Sequence, residues 1–165
     1  MTESNEAILR THPLTVVVVQ VDALRCGLNL DSVVDVLPAV ATLPLPGSPD
    51  IVHGVIDLHG ELVPVLDLRS RLGLPPRAPH PHDHVVVCLL GERRVGVWVD
   101  RAESLTVVQP HDMARADELV AAEFLAGVAR LDDGLLLVYD VRAFLSVDEL
   151  LLLDSAVRAT SSAMS

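Results

Sequence analysis

Short, mainly apolar runs bounded by turn residues lie near the start of the chain, which is the pattern of β-strands rather than of helices. Residues 16–21 and 25–30 are predicted to be two strands of a hairpin, with Asp22 marking the turn. Asp31 follows directly and can cap a short helical turn that runs through Val36. This region therefore predicts a hairpin followed by one helical turn.

A second hairpin is predicted further along the chain. Its strands are residues 55–58 and 61–66, and His59 and Gly60 form the turn between them. Gly60 readily supplies the positive φ that a two-residue hairpin turn requires. The preceding segment, residues 38–50, contains four prolines and is therefore predicted to be a loop or a sheet edge.

The chain also repeats itself. Gly54 has a counterpart in Gly127, and the matching continues at a constant offset through the following hairpin. Upstream, Gly27 has a counterpart in Gly96 at a slightly shorter offset, and a difference in loop length accounts for the change. Two copies of one β-rich unit are the simplest explanation, and we place them at about residues 14–74 and 83–145.

These units define the predicted domain organisation. One domain covers residues 14–149, with the proline-rich segment 75–84 as the boundary between its units. Residues 1–13 are predicted to be a flexible tail. Residues 150–165 are predicted to be a C-terminal helix with a frayed end.

The predicted C-terminal helix has a recognisable start. Ser146 is followed three residues later by Glu149, which is the spacing of a capping box. Leu150, Leu151 and Leu153 are then expected to dock on the β-structure. The helix is thus predicted to cover part of the core.

Composition supports a β-rich protein and narrows its partners. Half of the residues are hydrophobic but only 2% are aromatic, so the core consists mainly of aliphatic side chains, and the β-branched ones among them favour strands. The net charge of −11 opposes binding to nucleic acid or to anionic lipid. The first residues lack the features of a secretory signal, and no apolar run approaches the roughly 18 residues of a membrane span. We therefore expect a cytoplasmic protein without direct membrane insertion.

The sequence offers little chemistry for catalysis. Cys26 and Cys88 lie in apolar strands, no nucleophile motif is present, and the absence of lysine excludes the common phosphate-binding loop. Metal-binding side chains cluster only in the predicted boundary segment: His80, His82, Asp83 and His84. Interleaved prolines and the lack of a second cluster argue against a metal site there. We therefore predict neither a metal, another cofactor, nor an enzyme.

Three motifs together resemble a known family. They are GVIDLHGELVPVLDLRSRLGL, VGVWVD and GVARLDDGLLLVYDVRAFL, and the set resembles the CheW-like adaptor domain of bacterial chemosensory systems. The resemblance covers residues from about 14 to about 145. It implies a mainly β fold, in which two intertwined five-stranded SH3-like barrels share a hydrophobic core, with short helices and a C-terminal helix.

The resemblance also implies partners and partner-binding residues. Such adaptors bind the regulatory domain of a CheA-type histidine kinase with one barrel and the cytoplasmic tip of a chemoreceptor with the groove between barrels. The positions carried over as partner-binding are Val33, Val34, Asp35, Val36, Gly54, Asp57, His59 and Gly60. Two of them depart from the family pattern, because Asp57 and His59 stand where asparagine and arginine are usual.

Two alternative functions remain open at this point. A diverged adaptor could sequester a kinase or bind another regulator in an alternative chemosensory or pilus pathway. A histidine-dependent metal enzyme using residues 75–84 is an alternative of a different class.

Overall fold

The computed structural model describes residues 11–114 and 125–164. Most of the predicted tail, residues 1–10, lies outside them. The strands in these ranges are β1 Leu14–Val21, β2 Leu24–Asn29, β3 Val33–Pro38, β4 Val52–Leu58, β5 Glu61–Asp67, β6 His84–Leu90, β7 Arg93–Val99, β8 Arg101–Val108, β9 Leu125–Leu131 and β10 Gly134–Tyr139. Two α-helices accompany them: α1 Leu68–Arg71 and α2 Val147–Met164.

The strands form two five-stranded sheets. In the first sheet the spatial order is β8-β1-β2-β10-β9, and in the second it is β3-β6-β7-β5-β4. Neighbours pair antiparallel except for β10 with β2 and β5 with β7, which are parallel. This architecture confirms the mainly β fold of two five-stranded units with a C-terminal helix.

Neither sheet coincides with one sequence unit. The first unit supplies β1 and β2 to the first sheet but β3, β4 and β5 to the second, and the second unit does the reverse. The sequence units at 14–74 and 83–145 therefore each contribute strands to both sheets, because the two units exchange their first hairpins. The exchange occurs because the chain crosses to the other sheet directly after each of these hairpins.

Strand pairing confirms the repeat residue by residue. Val18 pairs with Gly27 in the first sheet, and Val87 pairs with Gly96 at the equivalent place in the second. The parallel contacts correspond as well, since Gly96 lies opposite Val65 and Gly27 lies opposite Val138. The two sheets are therefore related by an internal pseudo-two-fold.

The valine runs are explained by burial on both faces of their strands. Val16 and Val18 belong to a cluster inside the first sheet, whereas Val17 and Val19 belong to the core shared with the second. In the equivalent strand β6, Val85 and Val87 pack inside the second sheet. A strand with two buried faces cannot alternate with polar residues, so these strands are continuously apolar.

One predicted element differs near the first crossing. Residues 33–36 were expected to continue a helical turn, but helical structure is confined to a 3-10 turn at Leu30–Ser32 and β3 begins at Val33. Asn29 rather than Asp31 caps this turn, because its side chain accepts a hydrogen bond from the backbone N–H of Asp31 at 3.0 Å. Pairing with β6 then overrides the local preference.

The C-terminal helix has the predicted start. Ser146 Oγ accepts a hydrogen bond from the Glu149 N–H at 3.1 Å, and Glu149 Oε1 accepts one from the Ser146 N–H at 2.9 Å, which completes the capping box. Leu153 is buried and Leu150 is partly buried, but Leu151 is 61% exposed, so its predicted docking is wrong. The helix begins at Val147, directly after this cap, and continues to Met164.

Candidate partner-binding groove

The two sheets meet at a groove between the edge strands β3 and β8. The groove has a volume of about 400 Å³. Its lining includes Val33, Val34 and Val36 from β3, with Ala102 and Leu105 from β8. Val34 and Leu105 are 48% and 60% exposed, which is unusual for aliphatic side chains in strands. The groove is thus an apolar surface between two unpaired sheet edges.

A β-bulge in each edge strand shapes this groove. In β3 the pairing with β6 passes from Val33 directly to Asp35, which leaves Val34 unpaired. In β8 the pairing with β1 passes from Ala102 to Ser104, which leaves Glu103 unpaired. A bulge redirects side chains and disrupts further strand pairing. Val34 and Glu103 occupy equivalent positions of the repeat, so the pseudo-two-fold passes through the groove.

The rim of the groove is polar and differs between its two walls. On β3, Asp35 Oδ1 accepts a hydrogen bond from the Val36 N–H at 2.8 Å. On β8, Glu103 lies 3.6 Å from Arg25 Nε, whose Nη1 lies 3.1 Å from Asp133. The hydrogen bond from Arg25 holds the pKa of the Asp133 carboxyl below its usual value. On the β8 wall the carboxylate of Glu103 is therefore paired with Arg25. On the β3 wall the carboxylate of Asp35 makes no ion pair with the described residues.

The hairpin tip predicted to bind a partner lies beside β3. His59 and Gly60 both have positive φ, 54° and 88°, as a two-residue hairpin turn requires. The Gly60 N–H donates to Asp57 Oδ1 at 2.8 Å, so the aspartate stabilises the turn. Asp35, His59 and Arg94 line one cleft of about 330 Å³.

Gly54 differs from the other predicted partner-binding residues. It is buried, and a Cβ atom placed there would lie 2.6 Å from the carbonyl oxygen of Leu43. Leu43 and the neighbouring Val55 exchange backbone hydrogen bonds of 2.9 and 2.8 Å across this point. Gly54 thus allows a loop to approach β4 closely, and in this structure it offers no surface to a partner.

Sequence reasoning missed three residues of this region. Leu105 and Val107 are exposed on the β8 wall, and Arg94 forms an ion pair of 2.6 Å with Glu61 at the cleft. The repeat itself contains the signal for the first of them. Leu105 follows Val36 at the same offset that relates Gly96 to Gly27, so the repeat predicts its place on the equivalent strand.

In the histidine-rich segment, other side chains engage the one acidic group. Asp83 is 2% exposed and accepts hydrogen bonds from Arg77 Nη2 at 2.8 Å and from Trp98 Nε1 at 2.9 Å. Its oxygens are therefore committed to other donors. Over residues 11–114 and 125–164, no three metal-binding side chains come together.

Two further groups bear on chemistry. Cys26 and Cys88 are buried, and this burial raises the pKa of each thiol to about 12. Both therefore remain protonated near neutral pH and are poor nucleophiles. In the described part of the chain, no helix is long and apolar enough to cross a membrane.

Two sheets joined by a shared core, with an apolar groove at their junction, define a β-sheet domain with a surface suited to binding another protein. Comparison with known families agrees with this class. The family model for the CheW-like domain matches residues 15–149, and the chain belongs to this family. Membership confirms the function class predicted from the sequence, a scaffold or adaptor of chemosensory signalling.

Individual relatives are consistent with this assignment. The chain is 33% identical to protein FrzA of Myxococcus xanthus over 118 residues, which cover 67% of this chain and 71% of the relative. It is 28% identical to the chemotaxis protein CheW of Klebsiella aerogenes over 118 residues, which cover 70% and 71% of the two chains. The crystal structure of the scaffolding protein TtCheW from Thermoanaerobacter tengcongensis superposes with a TM-score of 0.75 at 22% identity, covering 83% of this chain and 95% of that one.

Proposed function

We propose that this chain is a cytoplasmic, non-enzymatic adaptor that couples chemoreceptors to a CheA-type histidine kinase. The observation that carries the proposal is the apolar groove between β3 and β8. Two buried thiols and a committed Asp83 leave little catalytic chemistry in the described residues, whereas the groove exposes aliphatic side chains at a junction of two sheets. A protein with these features acts by holding partners together.

The groove is the proposed site for the cytoplasmic tip of the receptor. Its centre is formed by Val34, Val36 and Leu105, and its rim includes the carboxylates of Asp35 and Glu103. Protein interfaces commonly have this arrangement of an apolar centre and a polar rim. The regulatory domain of the kinase binds one of the two five-stranded units, so both partners can be held at once.

Each partner alone is expected to bind with a dissociation constant of roughly 1 μM, which corresponds to about 8 kcal/mol. Simultaneous binding in an assembled array raises the effective affinity without new contacts. Isothermal titration calorimetry of the full chain with the kinase regulatory domain, and then with a receptor cytoplasmic fragment, tests this directly. Saturable binding to both partners supports the proposal, and binding to neither would refute it.

A matched pair of variants locates the receptor site. Leu105 and Leu135 are both 60% exposed, but only Leu105 lines the groove. Burying a leucine at an interface contributes roughly 1–2 kcal/mol, so Leu105→Ser should weaken receptor binding about tenfold. Leu135→Ser should leave it unchanged. Equal effects of the two substitutions would exclude the groove as the receptor site.

The cleft at the hairpin tip favours a second candidate, a diverged adaptor of an alternative chemosensory or pilus pathway. His59 occupies this cleft beside Asp35, where the family pattern has an arginine. Histidine is shorter than arginine and lacks the planar fork of a guanidinium, so it cannot replace a bidentate contact of that group. A His59→Arg variant should alter receptor affinity but not kinase affinity. The same receptor affinity for both forms would count against this candidate.

A further inference from the structure

The chain crosses between the two sheets at two equivalent positions. The first crossing is the turn at Leu30–Ser32, between β2 and β3, and the second is the single residue Asp100, between β7 and β8. Asp31 and Asp100 are repeat equivalents, since they are separated by the same offset as Gly27 and Gly96. Each crossing leads directly into one wall of the groove. Whatever holds a crossing in place therefore positions the wall that follows it.

A clamp of charged side chains holds the second crossing. Arg69, which follows β5, donates to Asp100 through Nε at 3.2 Å and Nη2 at 2.7 Å. Arg69 Nη2 also donates to Asp22, in the turn between β1 and β2, and the Asp22 N–H donates to Asp100 Oδ2 at 2.8 Å. Only 8% of the Arg69 side chain is exposed. The clamp thus joins both sheets at the point where the chain passes between them.

The connector between the sequence units adds a second arm to this clamp. Arg77 Nη2 donates to Asp100 Oδ1 at 2.7 Å and also to the buried Asp83. Although burial alone would raise the pKa of Asp100, hydrogen bonds from Arg69 and Arg77 hold that pKa below its usual value. The carboxylate therefore stays ionised and bound to both guanidinium groups at neutral pH.

The first crossing has no such clamp. Asp31 is exposed, and within residues 11–114 and 125–164 its carboxylate makes no hydrogen bond or ion pair. Arg142, the repeat equivalent of Arg69, donates to Asp140 at 3.2 Å. The hydrogen bonds and ion pairs at the two crossings therefore break the pseudo-two-fold, although β3 and β8 pair with their neighbours in the same register.

We propose that Asp100 is a positioning residue for the partner groove, which makes β8 its rigid wall and leaves β3 as the wall that adjusts when a partner binds. Charge-assisted hydrogen bonds are stronger than neutral ones, and several of them converge on this one carboxylate. At the first crossing, the side-chain hydrogen bond within the described residues is the neutral cap from Asn29. The identity of the partner rests on the proposed function. The difference in rigidity between the β3 and β8 walls does not.

Hydrogen exchange of the free, full-length chain tests this difference without any partner. The backbone N–H groups of β8 that bond to β1 should exchange more slowly than the equivalent N–H groups of β3 that bond to β6. Asp100→Asn should raise the β8 rates about tenfold, which corresponds to about 1.4 kcal/mol of local opening. Asp31→Asn, at the equivalent crossing, is the matched control and should leave both walls unchanged. Arg77→Gln removes one arm only and should give a smaller increase, so it serves if Asp100→Asn does not fold.

The distribution of the effect decides the result. Faster exchange confined to β8 supports a positioning role. Equal protection of the two walls in the unaltered chain would overturn the proposal, and so would an effect of either variant spread evenly over both sheets. Titration with the receptor fragment separates this from the proposed function: if the fragment fails to bind while the walls still differ, only the proposed receptor coupling fails.

Discussion

Alanine at Gly96 should destabilise the protein more than alanine at the equivalent Gly27. A Cβ at Gly96 would lie 2.8 Å from Val85 Cγ1 and 3.2 Å from Val65 Cγ2. Favourable carbon contacts lie at about 3.5–4.0 Å, and valine has little freedom about χ1. Relief at this site therefore requires displacement of the neighbouring strands, because both valines are buried.

The contacts at Gly27 are less severe. A Cβ there would lie 3.1 Å from Val16 Cγ2 and 3.2 Å from Leu136 Cδ2. The nearest group is again a valine methyl, but it lies at 3.1 Å rather than the 2.8 Å found at Gly96, so a smaller displacement relieves the contact. The same substitution at equivalent positions is thus expected to have different costs.

The magnitude follows from three opposing contributions. Overpacking a core costs about 1–3 kcal/mol, and we expect the upper end at Gly96. Burial of the added methyl group contributes about 0.8 kcal/mol, and the reduced freedom of the unfolded chain contributes about 0.4–1 kcal/mol. The net loss in the free energy of unfolding should be about 1–2 kcal/mol for Gly96→Ala and below about 1 kcal/mol for Gly27→Ala.

Equilibrium unfolding in urea measures both variants. With a typical slope of about 2 kcal/mol per molar, Gly96→Ala should lower the midpoint by about 0.5–1 M, and Gly27→Ala by less. Unchanged slopes would show that both variants unfold as the unaltered protein does. A midpoint for Gly96→Ala equal to that of the unaltered protein, or a larger loss for Gly27→Ala, would refute the packing explanation.

Three further predictions concern charge, thiols and the C-terminal helix. Burial tends to raise the pKa of Asp83 and Asp100, but hydrogen bonds from arginine hold both below the ordinary 3.8. Their stabilisation is therefore present above pH 3.8 and is lost as pH falls below it. The urea midpoint should drop as pH is lowered below 3.8, and it should drop less in Asp83→Asn. The same dependence of the midpoint on pH in the two forms would contradict this. Cys26 and Cys88 should react with a thiol reagent at pH 8 only on unfolding, and rapid labelling of the native chain would show that their burial is incomplete. Ser146→Ala should destabilise the C-terminal helix by about 1 kcal/mol, seen as faster hydrogen exchange in its first turn, and unchanged exchange there would mean that the cap contributes nothing.

Local patterns in the chain were sufficient for several elements. The sequence predicts the turn at His59-Gly60 because glycine readily adopts the positive φ of a two-residue hairpin turn, and both residues have positive φ in the structure. The capping box of Ser146 and Glu149 was predicted from spacing alone. The helical turn expected through Val36 was wrong, because its residues pair with β6, which lies far along the chain beyond the whole second hairpin. Strand pairing between segments so far apart in the chain cannot be predicted from the local sequence of either segment.

The candidate site was only partly predictable for the same reason. Val34 and Asp35 were named by resemblance, and the structure places them beside His59 in one cleft. Leu105 was not named, since its exposure depends on β8 being the edge of a sheet. Gly54 was named as a partner contact although its role is close packing, which depends on where Leu43 passes.

The sequence by itself determined that the protein is β-rich, internally repeated and built on an aliphatic core, because these properties follow from side-chain type and order. It also determined the hairpin turns, which depend on a few adjacent residues. Only the tertiary structure decided that the two repeats exchange hairpins, that β3 and β8 face each other, and that Arg69 and Arg77 meet at Asp100. These outcomes depend on which strands pair and on which charged side chains meet across the fold. The residues involved are far apart in the chain, so the local sequence pattern around each of them does not indicate its partner.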